Sequence, residues 1–77
     1  MIITVTFHGG IEKFSKLTNR IETVTVPDKT SVKLLLEILS MPKGSVEIIT
    51  VNKKLACLET EISEGDTVDL YPMFPGG

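Results

Sequence analysis

The sequence predicts a two-layer α+β fold, with one helix packed on a mixed sheet of four to five strands. Three observations predict it. Apolar and β-branched residues alternate near both ends of the chain. One central stretch carries a helical period. Turn residues divide everything else into short segments.

Ile2 to Phe7 opens the pattern. Ile3, Val5 and Phe7 fall on one face, with Thr4 and Thr6 on the other, which describes a half-buried strand. His8-Gly9-Gly10 breaks it, and residues 11 to 19 read as a connecting loop with room for one helical turn. Ile21 to Val26 alternates again, with Val24 and Val26 opposite Thr23 and Thr25. A connection of that length suits an antiparallel pair, and Pro27-Asp28 stops the second strand.

The period then changes. Val32, Leu35, Leu36 and Leu39 are spaced i, i+3, i+4, i+7; Leu34 and Ile38 widen the stripe, and Lys33, Glu37 and Ser40 lie opposite. This is an amphipathic helix, N-capped by Thr30 or Ser31 and expected to end at Pro42 and Gly44. Val46 to Asn52 reads as a third strand whose apolar phase slips between Ile48 and Ile49, through a bulge or burial on both faces. Asn52-Lys53-Lys54 makes a tight turn into a short strand around Leu55 to Leu58. Glu64-Gly65-Asp66 makes another turn. Thr67 to Tyr71 is the last strand, with Val68 and Leu70 on one face.

A single helix has to bury its apolar face against the apolar face of the sheet. The crossover through the helix lets the first and last strands lie side by side. That arrangement is a grasp, with the final strand central and its end leading into a protruding tail. The chain is accordingly one domain, 1–77, with the tail at about 72–77.

Composition limits the function classes. The chain has 77 residues, 42% of them hydrophobic and 23% charged, with a net charge of -2. That balance is globular and is not that of a polybasic nucleic-acid or membrane binder. Cys57 is the single cysteine, so no internal disulfide forms. No apolar run reaches the roughly 20 residues of a membrane span, and the first residues lack a basic start and cleavage site. A cytoplasmic location is the expectation, with neither nucleic acid nor membrane as partner.

Candidate chemistry is sparse. His8 has no second histidine beside it and reads as a turn residue without chemistry, since zinc wants about three or four protein ligands. Cys57, between Ala56 and Leu58, reads as a buried small hydrophobe with no base assigned to it. Glu59, Glu61, Glu64, Asp66 and Asp69 read as a solvated or partner-facing acidic rim. No metal site, no stably bound cofactor and no catalytic constellation is expected, so the residues describe no self-contained enzyme.

The tail is different. Gly76 and Gly77 have no Cβ and can thread a narrow cleft, and the Gly77 carboxylate is unhindered for a partner that activates it. Pro72 and Pro75 stiffen the segment, which lowers the entropy lost on docking. Tyr71, Met73 and Phe74 offer apolar anchors to a partner.

The order of elements, the "VNKK" turn and the ending "EGDTVDLYPMFPGG" resemble the ubiquitin-like sulfur carriers. That family has a ubiquitin-like β-grasp fold and includes the molybdopterin synthase small subunit and the thiamin sulfur carrier. The aromatic-Pro-x-x-x-Gly-Gly ending, Tyr71 to Gly77, is similar to the molybdopterin branch. The resemblance implies that an E1-like adenylyltransferase uses ATP to adenylate Gly77. Sulfur then replaces the adenylate, and the thiocarboxylate enters a larger molybdopterin-synthase-type subunit. A pterin for a molybdenum or tungsten enzyme, or a thiazole, would be the sulfur acceptor. The same activated tail passed to a lysine would make the chain a protein modifier instead. Three positions depart from the family pattern: Lys53 where glycine often follows the asparagine, Met73 in place of a second proline, and Pro75 where a small polar residue is common. These bear on the partner more than on the carrier role.

Overall fold

A computed structural model describes residues 1–17 and 19–73. The elements are β1 (Ile2–Phe7), a 3-10 turn (Ile11–Phe14), β2 (Ile21–Thr25), α1 (Val32–Ile38), β3 (Ile48–Val51), β4 (Lys54–Ala56) and β5 (Thr67–Tyr71). The sheet order is β2-β1-β5-β3-β4. β1 and β5 run parallel, and the remaining pairs are antiparallel. The first and last strands are therefore neighbours, and β5 is central, as the single crossover helix implies. The fold is the ubiquitin-like β-grasp.

The alternation read from sequence becomes the core. Ile3, Val5 and Phe7 of β1, Val68 and Leu70 of β5 and Ile49 of β3 are buried under Val32, Leu35 and Leu39 of the helical segment. Ile11, Val26 and Ile62 seal the margins. Each such side chain contributes about 1.5–3 kcal/mol on leaving water. Leu34 does not widen the stripe, because it faces solvent; Leu36 and Ile38 pack at the edge of the core.

The short helix is held at both ends by hydrogen bonds. The Ser31 hydroxyl accepts from Leu34 N–H, so Ser31 is the N-cap. The Thr30 hydroxyl instead donates to the Pro27 carbonyl, and Thr30 is fully buried. Val32 N–H donates to the Thr60 carbonyl and Lys33 N–H to the Leu58 carbonyl, so the loop after β4 satisfies the helix's free donors. The helix stops before Pro42 and Gly44. Ser40 adopts φ 60, Ser40 N–H donates to the Glu37 carbonyl and Met41 N–H to the Leu36 carbonyl. That is a Schellman ending, with serine where glycine is usual.

Two further boundaries differ from the sequence reading. β3 starts at Ile48, not Val46, and has no bulge within its ladder to β5: Ile48 points outward and is exposed, and Ile49 points into the core. β4 ends at Ala56, so Cys57 and Leu58 leave the sheet for a turn closed by Thr60. Between β3 and β4, Asn52 and Lys53 both have positive φ, 52 and 69, in a two-residue turn of type I′.

Candidate functional site

β5 ends at Tyr71, at the start of the segment read as a tail. Tyr71 is the last residue of the strand, half-buried and paired with Ile48, and its carbonyl accepts from Glu47 N–H. Pro72 is half-buried and Met73 is exposed. With Ile11, Phe14 and the 42–45 loop they line an open hollow of about 360 Å³, and Phe14 is itself exposed. Of the residues assigned to partner binding, Tyr71 thus belongs to the sheet, and Pro72 and Met73 mark the root of the tail. Phe74, Pro75, Gly76 and Gly77 lie outside the described residues.

At the tail root the structure assembles a cluster that the sequence reading missed. His8 Nε2 lies 2.8 Å from Asp69 Oδ1. A carboxylate only accepts, so Nε2 carries the proton. The imidazole is stacked on the Tyr71 ring, centroids 4.2 Å apart and planes 9° from parallel. Lys53 Nζ approaches Asp69 Oδ2 at 3.5 Å from the turn between β3 and β4. Asp69 is only 2% exposed. His8 is therefore not an idle turn residue, and Asp69 does not belong to a solvated rim. The signal was in the alternation: Asp69 sits between inward Val68 and Leu70, so it had to lie on the opposite sheet face. What alternation lacked was the parallel register that brings His8 beside it.

Two of the other acidic residues make local hydrogen bonds. Asp66 accepts from Asn52 Nδ2 and from Ser63 N–H, and Glu64 accepts from Ile2 N–H. Among the described residues no group of three or more His, Cys, Asp or Glu side chains could hold a metal ion. Cys57 is exposed rather than buried, its Sγ 3.5 Å from the Thr60 hydroxyl. It follows β4, in the turn that caps the helix N-terminus, and its hydrogen-bond contacts among the described residues include no base. No helix among the described residues is long and apolar enough to cross a membrane.

The fold is shared with several solved structures. SAMP1 from Haloferax volcanii superposes with a TM-score of 0.77 at 18% identity, over 100% of both chains. The putative molybdopterin converting factor subunit 1 from Pyrococcus furiosus gives 0.73 at 17%, over 96% of this chain and 99% of that one. A complex of subunits 1 and 2 of the molybdopterin-converting factor from Helicobacter pylori gives 0.65 at 26%, over 100% of both chains. No curated protein matches the chain by sequence. Residues 1–76 match the Mut7-C ubiquitin family. With that match over almost the whole length, on a grasp fold shared with molybdopterin converting factor subunits of the kind that the sequence resembled, the chain belongs to the Mut7-C ubiquitin family.

Proposed function

We propose that the chain is a ubiquitin-like sulfur carrier that acts through the carboxylate of Gly77. The observation that supports this best is the placement of β5. It is the last strand, held between β1 and β3, and it hands the chain to the surface at Pro72 and Met73, a few residues before Gly76-Gly77.

The chemistry needs an activating enzyme, because a carboxylate is a poor electrophile. An oxygen of Gly77 attacks the α-phosphorus of ATP on an E1-like adenylyltransferase, and pyrophosphate leaves. Hydrosulfide then attacks the acyl carbon; the C–O bond to AMP breaks, a C–S bond forms and the S–H proton is lost to solvent, giving a thiocarboxylate. The chain itself holds no catalytic group and no stable cofactor in this scheme. Its part is to present a thin, unbranched terminus, which Gly76 and Gly77 supply by lacking Cβ atoms. The family likeness and the neighbour that forms a complex with a second converting-factor subunit support a larger synthase-type subunit as the recipient, with molybdopterin or tungstopterin as product.

The test is to incubate the chain and a variant lacking Gly77 with the cognate activating enzyme, ATP and a sulfur donor. The full chain is expected to support ATP–pyrophosphate exchange and to acquire sulfur, and the shortened one to do neither while remaining folded. Equal exchange by both would refute Gly77 as the activated residue. A ladder of lysine conjugates with no thiocarboxylate would assign the chain to protein modification instead.

A further inference from the structure

The sheet face opposite α1 carries a cross-strand row centred on Asp69. Asp69 pairs with Thr6 of β1 on one side and with Thr50 of β3 on the other; Leu55 lies beyond Thr50 and Ile21 beyond Thr6. Directly paired residues share a face and stand about 4.5–5.5 Å apart at Cβ. The ends of the row are open, with Ile21 60% and Leu55 79% exposed, and Ile48 in the adjacent row is 47% exposed.

The centre is polar and incomplete. Asp69 Oδ1 is bonded to His8, but Asp69 Oδ2 has no hydrogen-bond partner among the described residues, and neither does the buried Thr50 Oγ1. Leaving a buried polar oxygen unpaired is destabilising, so a carboxylate oxygen and a hydroxyl in this state side by side mark an unfinished site. Lys53 does not finish it. Its ammonium stays 3.5 Å from Oδ2, and the side chain is 78% exposed.

We propose that this face docks a protein partner which inserts an arginine side chain over Asp69 and Thr50. One anionic and one hydroxyl oxygen on neighbouring strands call for a donor with several N–H groups in a fixed fork, which is the guanidinium. Its charge complements Asp69, and apolar residues flanking it would cover Ile48 and Leu55. Lys53 is then a displaceable cover, not a permanent partner. The surface is independent of the tail chemistry, so the inference holds or fails apart from the sulfur-carrier reading.

The test is an amide-NMR titration of the isotope-labelled full chain with a short leucine-flanked arginine peptide and its citrulline counterpart, which keeps the shape and loses the charge. Saturable shifts are expected at Thr50, Lys53 and Asp69 with arginine, at least about tenfold weaker with citrulline. Asp69→Asn should abolish the response, Thr50→Val should weaken it, and Lys53→Ala should strengthen it by removing the competing cation. The amide spectrum of each variant reports whether it is folded. Equal responses to the two peptides, no saturable response, or weaker binding by Lys53→Ala would overturn the proposal and leave Lys53 or a water as the completing partner of Asp69.

Discussion

The imidazole of His8 lies flat against the ring of Tyr71, with centroids 4.2 Å apart, while its Nε2–H points at Asp69. One side chain thereby ties the end of β1 to two positions of β5, at the point where the chain leaves the sheet. His8→Ala removes the stack and the charge-assisted hydrogen bond together, and strips the Asp69 side chain of the one hydrogen bond it has among the described residues. A loss of about 1–3 kcal/mol is expected, read as a lower urea midpoint with an unchanged slope. His8→Gln, which retains a donor without the ring stack, is expected to recover part of it. No loss in either variant would mean that the cluster does not hold the tail root.

Lys53 occupies a backbone conformation that suits glycine. Its φ of 69 follows Asn52 at 52 in a type I′ turn, where Asn-Gly is the favoured pair. The contact to Asp69 comes from an exposed ammonium and is worth at most about 1 kcal/mol. Relief of the left-handed strain outweighs it, so Lys53→Gly is expected to raise stability by about 0.5–1 kcal/mol and to raise the thermal midpoint. A lower midpoint would show that the ion pair contributes more than its exposure suggests.

Two changes test the helix. Leu35 is fully buried between α1 and the sheet, and Leu35→Ala is expected to be destabilising by about 2–5 kcal/mol through lost burial and the cavity left behind. In a small domain that is a large share of the total. Ser31→Ala removes the acceptor for Leu34 N–H and is expected to be destabilising by about 1 kcal/mol. Chemical denaturation of both variants checks the ranking. A larger effect from Ser31 than from Leu35 would contradict the packing described here.

These outcomes also separate what the sequence could reveal from what it could not. Alternation in Ile2 to Phe7 and Thr67 to Tyr71, and the leucine period of α1, are local patterns, and each produced the element it implied. The adjacency of β1 and β5 followed from one helix having one face to bury. The His8–Asp69 contact did not follow, because it joins residues far apart in sequence through a parallel register that no local pattern encodes. Ser40 concealed the end of the helix, since a non-glycine at positive φ carries no compositional mark. Cys57 was misplaced for a related reason: Ala56 and Leu58 extended an apolar run past the last residue that pairs with β3. Gly76-Gly77, by contrast, was conspicuous in the sequence and lies outside the described residues.

The most direct measurement is the intact mass of the chain after reaction with ATP, a sulfur donor and its cognate activating enzyme. The account predicts a gain equal to the exchange of one oxygen for sulfur, localised by fragmentation to Gly77. An unchanged mass, with an enzyme shown to be active on a control carrier, would contradict it.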